Sequence, residues 1–140
     1  MGLDPEFFKE LLSMFRMECD EHIQNMRYGI KTLGEIEPSD EQVEISETIH
    51  RAAHSLKGAA RTIGLADVEP ICQSLESCFS VLKRQKIKLP VELLSMLNRA
   101  VDGLEKLLGT LDESGKVTGD KSELALLIDD INTKVMTITR

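Results

Sequence analysis

The residues best suited to chemistry lie in one short run, Arg51-Ala-Ala-His54-Ser-Leu-Lys57-Gly58-Ala-Ala-Arg61-Thr-Ile-Gly64-Leu65. Wound as a helix at about 100° per residue, the run puts His54 nearly opposite the apolar set Ile45, Ala52, Leu56 and Ile63. His54 then shares a polar face with Glu47, His50, Lys57, Gly58 and Arg61. A solvated face is the ordinary explanation of a lone surface histidine, but Gly58 argues for more. Mid-helix glycine costs about 1 kcal/mol relative to alanine, and a bare backbone lets another molecule reach the ring. A neutral imidazole, with an ordinary pKa of about 6.5, offers a nucleophilic nitrogen. An ammonium one turn away, Lys57, can stabilise the charge spread over a transferring phosphoryl group. The ring's other nitrogen needs an acceptor to fix its tautomer. Glu76, on the flank of the next apolar seam, is the candidate.

Competing chemistry is less well supplied. His50 and His54 stand at i and i+4, the spacing of a helical metal pair, but Arg51 occupies the position where the metalloprotease motif carries glutamate. A cation there opposes a metal, and no further ligand is apparent. Cys19 and His22, like Cys72 and Cys78, read as residues lining the core, where an inert thiol is the common case. Gly58 and Gly64 sit in or at the end of a helix and form no phosphate-cradling loop. The chain is therefore expected to have no cofactor of its own and to be unable to draw a phosphoryl group from ATP unaided.

Five helical segments must position these residues. The first runs from about Pro5 to Leu33, with Asp4 as N-cap and an apolar seam of Phe8, Leu12, Phe15, Cys19, Met26, Ile30 and Leu33, broken at His22. Ser39 and Gln42 form a capping-box start for the second, which carries Ile45, Ile49, Ala52, Leu56, Ala59 and Ile63 and stops at Gly64. The third begins near Asp67 with the seam Ile71, Leu75, Cys78, Phe79 and Leu82. Pro90 opens the fourth, seamed by Leu94, Leu97, Val101, Leu104, Leu108 and Leu111, with a second stripe of Leu93, Met96, Ala100 and Leu107. Residues 112–120 hold three acids and two glycines and read as a flexible linker. Leu124, Leu127, Ile128, Ile131, Val135 and Ile138 form a last amphipathic stripe, capped by Asp120 or Ser122. Short connections between long amphipathic helices predict an all-α fold, an antiparallel up-and-down four-helix bundle with an additional C-terminal fifth helix. The expected division is residues 1–111 for the bundle, 112–122 for the linker and 123–140 for the helix packing on or near it.

Composition agrees. The chain has 140 residues, nineteen of them Leu and none Trp, with 41% hydrophobic and 29% charged side chains. That is ordinary for one globular domain. A formal charge of -7 with no long basic tract argues against nucleic-acid binding. The longest apolar run, Leu124 to Ile128, is far short of the roughly 20 residues a membrane span needs. Acidic and basic residues interrupt the start of the chain, where an export signal would be apolar. With an odd number of cysteines, this predicts a cytoplasmic protein without a disulfide scaffold.

The string from Arg51 to Gly58, followed by Thr62-Ile-Gly64-Leu65, resembles the phosphoacceptor motif of histidine phosphotransfer (HPt) domains. It is most similar to those at the N-terminus of CheA-type chemotaxis histidine kinases, and the likeness covers nearly the whole chain, fifth helix included. The resemblance implies that His54 is the phosphorylated histidine, Lys57 its neighbouring lysine, Gly58 the access glycine, and Glu76 the glutamate bonded to the imidazole. Some members carry a second histidine three residues before that glutamate. Here the position is Gln73, which can hydrogen-bond but cannot titrate. His50, Arg51, Arg61 and Gln73 are the expected access and partner-binding residues.

Two functions from different classes follow. One is a phosphocarrier of two-component or chemotaxis-type signalling. His54 would accept a phosphoryl group from a kinase ATP-binding domain, in cis or in trans, and pass it to an aspartate of a response regulator receiver domain. ATP and Mg²⁺ would belong to those partners, and the chain would be part of an enzyme only as part of a longer kinase. The other is a helical adaptor or dimerisation bundle whose polar face merely binds a partner. His54, Lys57, Gly58 and Glu76 together favour the first.

Overall fold

A computed structural model describes residues 4–139. Its helices are α1 (Pro5–Leu33), α2 (Asp40–Thr62), α3 (Glu69–Leu82), α4 (Val91–Leu108) and α5 (Ser122–Ile138), as an all-α bundle requires. Local signals set the ends. Asp4 accepts from the Glu6 amide, with Pro5 in the first turn. Ser39 Oγ accepts from the Gln42 amide at 3.2 Å. The capping box is only half made, however. The Gln42 side chain donates instead to the Ile87 carbonyl at 2.6 Å, tying the start of α2 to the α3–α4 connection. At the other end of α2, Gly64 takes φ +77°. The Leu65 amide then reaches back to the Ala60 carbonyl and the Gly64 amide to Arg61, a Schellman stop that needs a residue free of a Cβ.

Long-range contacts give the helix directions. Gly34 meets Leu94 while Arg16 bonds the Leu111 carbonyl, so α1 and α4 are antiparallel. Gly29 lies against Ile45 and Ile49, where α2 returns along α1. A Cβ on Gly29 would stand 2.5 Å from Ile49 Cγ1, so that crossing admits only glycine unless Ile49 moves. The fifth helix lies along both α3 and α4, whose Cα atoms come nowhere within 8 Å of each other. Lys121 pairs with Asp67 at 2.8 Å and Lys134 with Glu92 at 2.7 Å. Along the same helix, Leu124, Ile128, Ile131 and Val135 are buried. A helix of this length is marginal alone and is held by that stripe.

The seams differ from the sequence reading in a few places. The gap at His22 is filled by Ile23, which is buried, while His22 is half-buried. On α2, Ala53 and Ala60 are buried, whereas Ile45, Ala59 and Ile63 are half-buried. The helix is flanked by both α1 and α3, so its inner arc is wider than a single stripe. Residues 112–120 are not the flexible linker their composition suggested. Leu111 and Val117 form an antiparallel bridge. Asp112 Oδ1 accepts from the Ser114 and Lys116 amides at 2.8 and 3.1 Å, and Gly115 closes the turn at φ +84°. Short polar side chains that bond their own backbone make ordered turns as readily as loose loops.

Candidate functional site

Antiparallel packing of α2 on α3 builds a ladder of polar pairs along one edge. From one end to the other these are His50 with Lys83, His54 with Glu76, Lys57 with Glu76 and Gln73, and Arg61 with Glu69. Each step toward the end of α2 moves one step toward the start of α3, so residues far apart in sequence meet in register.

Glu76 is the hub. Its side chain is 11% exposed, and its two oxygens have separate partners. Oε1 accepts from Lys57 Nζ at 2.6 Å. Oε2 accepts a hydrogen bond from His54 Nδ1. Burial by itself pushes the Glu76 carboxyl up, but the hydrogen bonds from Lys57 and His54 outweigh it and hold the group below the ordinary carboxylate value. Glu76 is therefore an anion at neutral pH and only accepts. The His54 proton consequently sits on Nδ1, and Nε2 carries the lone pair. The His54 side chain is 63% exposed, and Gly58, one turn on, would meet nothing within 4 Å if it carried a Cβ. The ring is held from behind and open in front.

The other expected site residues divide. Lys57 is turned inward, bonded to Glu76 and, at 3.1 Å, to Gln73 Oε1. Gln73 also donates to Ser77 at 3.2 Å, so it reaches His54 only through Lys57. Arg61 is exposed and pairs with Glu69 at 2.7 Å; Arg51 is exposed. His50 is not an access residue. Its side chain is 16% exposed, with Nε2 3.9 Å from Glu76 Oε2 and Nδ1 3.4 Å from Lys83 Nζ. In the sequence Lys83 is only the first of a basic run with Arg84, Lys86 and Lys88, as suits a helix C-terminus. The available signal was its place one turn beyond Phe79 on α3, opposite the start of the His50–His54 face. Among the described residues, no three His, Cys, Asp or Glu side chains are grouped to hold a metal ion.

Comparison with known proteins bears on this arrangement directly. The Hpt domain family matches residues 10–132. The chain belongs to that family. This Hpt domain is 28% identical over 120 residues to the chemotaxis protein CheA of Bacillus subtilis, covering 86% of this chain and 17% of the relative. It is 30% identical over 74 residues to histidine-containing phosphotransfer protein 2 of Arabidopsis thaliana, covering 53% of this chain and 42% of that one. Its fold matches the phosphorylated P1 domain of CheA3, solved in complex with CheY6 from R. sphaeroides. The TM-score there is 0.75 at 21% identity, over 92% of this chain and 98% of that chain. The Hpt domain thus spans under one-fifth of the CheA relatives it matches. Among its described residues, no helix is long and apolar enough to cross a membrane.

Proposed function

We propose that this Hpt domain is a histidine phosphocarrier that accepts a phosphoryl group on Nε2 of His54 and passes it to an aspartate of a response regulator. The observation that carries this is the division of the His54 ring, with Nδ1 on Glu76 and the exposed Nε2 left as nucleophile. In the forward step the Nε2 lone pair forms the N–P bond. The bond from the γ-phosphorus to its bridging oxygen breaks, and ADP leaves with that electron pair. The ring gains positive charge as it attacks, and the Glu76 carboxylate against Nδ1–H stabilises it. Lys57 gives one donor to Glu76 and one to Gln73 and offers its third to a phosphoryl oxygen. Transfer onward reverses the chemistry toward a carboxylate.

Support for the partners is external to the site. The CheA3 P1 domain was solved phosphorylated and bound to CheY6, and similar proteins include chemotaxis protein CheA of two bacteria and the sensor histidine kinase CheAY of Helicobacter pylori. In this reading the ATP-binding domain, in cis or in trans, supplies ATP and Mg²⁺, and a receiver domain takes the product. The bare backbone at Gly58 suits such docking better than it suits a static adaptor. The test is acid-labile, base-stable label transferred from a chemotaxis kinase catalytic domain and ATP. His54→Gln should abolish it with the helical spectrum unchanged, because the side chain is exposed and leaves no cavity. Labelling of His54→Gln at the wild-type rate would return the domain to the adaptor class.

A further inference from the structure

The phosphoacceptor reading uses His54, Lys57 and Glu76 and leaves a second imidazole without a role. His50 stands one turn before His54 on α2, its ring centroid 6.5 Å from that of His54 and the two planes 22° apart. The charged and titratable groups facing it are Glu47 and His54 from α2 and Glu76 and Lys83 from α3. Lys83 Nζ lies 3.4 Å from His50 Nδ1 and 3.4 Å from Glu47 Oε2. An ammonium can only donate, so Nδ1 presents its lone pair and the proton of neutral His50 is on Nε2. That N–H faces Glu76 Oε2 at 3.9 Å, the same oxygen that accepts from His54. The separation exceeds a hydrogen bond, so neutral His50 leaves this oxygen to His54.

We propose that His50 is a positioning residue of the phosphotransfer site, which leaves Glu76 to His54 while neutral and draws Glu76 away from His54 when protonated. The proposal rests on the phosphoacceptor reading of His54. Protonation would set an N–H on Nδ1 against the Lys83 ammonium and turn that contact repulsive. The imidazolium would then be drawn toward the nearest anion, Glu76 Oε2, in competition with His54 Nδ1–H. A carboxylate shared between two cations supports less charge on the His54 ring, and Nε2 becomes a poorer nucleophile. Burial and Lys83 both hold His50 below the ordinary imidazole range, so the neutral form operates at neutral pH and the competition begins in acid.

The test needs no partner protein. Phosphoramidate phosphorylates histidine directly, its P–N bond breaking and ammonia leaving as the Nε2–P bond forms. Initial rates should be followed from pH 8 to pH 5 alongside ring ¹⁵N shifts of both histidines. In the wild-type domain the rate should fall more steeply in acid than one ionisation allows, the excess following the protonation of His50. His50→Gln should restore a one-proton limb, because its amide is an uncharged donor that cannot titrate. His50→Phe, which cannot titrate either, should give the same one-proton limb. A merely structural His50 would leave the limb's steepness unchanged between wild type and His50→Gln, and that result overturns the proposal. If the wild-type domain takes no label, the phosphoacceptor reading is what has failed. The shifts then decide by themselves: a His54 Nδ1–H resonance unmoved as His50 titrates overturns the positioning role.

Discussion

Two ionic clusters each join a pair of neighbouring helices, and they differ in almost everything else. Between α1 and α4, Arg27 reaches Asp102 and Glu105 on the outside of the bundle, where the Asp102 side chain is 61% exposed. Between α2 and α3, Glu76 is sunk to 11% and is approached by Lys57, His54 and His50. The first is a cation clasped by two solvated anions. Water can replace either partner, so the cluster adds little to stability. The second is an anion taken out of water and given one ammonium, Lys57, and the N–H of a neutral imidazole, His54. Such a site is costly to break, because removing one member strands the others. It also leaves one ring nitrogen unengaged at the surface. The comparison separates an ion pair that decorates a helix contact from one that holds a nucleophile in a single tautomer.

The largest expected effect comes from breaking the hub. Glu76→Ala should slow labelling of His54 by about 10- to 100-fold, as loss of an orienting partner does. It should also cost about 1–3 kcal/mol in denaturant unfolding by leaving Lys57 without its carboxylate. A variant labelled at the wild-type rate would show that the tautomer is set by something other than Glu76.

Acid should expose the same difference. The Glu76 carboxyl lies below its ordinary value of 4.5 in the folded state, so its contribution is full above that value and is lost as pH falls through the folded one. His50 lies below its ordinary 6.5; the unfolded chain binds that proton more readily, so stability declines as pH drops below about 6.5. Thermal melts of the wild-type domain should therefore fall in two stages. His50→Gln should remove the earlier stage, and Glu76→Ala should weaken the later one, which it shares with the other lowered carboxyls Asp40, Asp67, Glu92, Asp112 and Asp120. A flat melt between pH 7 and pH 5 in the wild type would contradict the His50 environment.

A smaller effect should have opposite signs in two assays. Gly58→Ala meets no atom within 4 Å, so it should raise stability by about 0.5–1 kcal/mol. Labelling by a kinase domain should slow by several fold, whereas phosphoramidate, which is small, should react as before. Equal slowing with both donors would place the role of Gly58 in the helix and not in partner access. Smallest of all, Arg27→Ala should change stability by less than about 1 kcal/mol and leave both labelling rates unaltered. A larger loss would mean that the α1–α4 cluster is coupled to the core.

The cysteines give the same lesson at the level of single groups. Burial pushes the thiols of Cys19, Cys72 and Cys78 up to about 12, which leaves them as packing groups. His54, by contrast, was marked as functional by lying opposite Leu56 on the same helix. Amphipathic phase, which is local, separates these two kinds of residue without any tertiary information.

Much of the molecule was determined in this way by the chain alone. Helix limits follow from Asp4, Pro5, Ser39 and Gly64, because caps act within a turn. The His54–Lys57–Gly58 spacing follows from helical geometry, and Glu76 could be named because only one carboxylate flanks the α3 seam at that height. Tertiary packing decided the rest. Whether Gln42 would complete its capping box depended on the Ile87 carbonyl arriving from another connection. Where residues 112–120 lie depended on Phe8 and Leu65 standing against Gly115 and on Arg16 bonding the Leu111 carbonyl. The fifth helix took its place from the space between α3 and α4, which no helix records in its own sequence. Most of all, the state of His50 came from Lys83 and Glu76 on α3. A residue's face is written in its helix's own phase, but the charge it meets across an interface is set by the register of two helices, and register is a property of the packed pair.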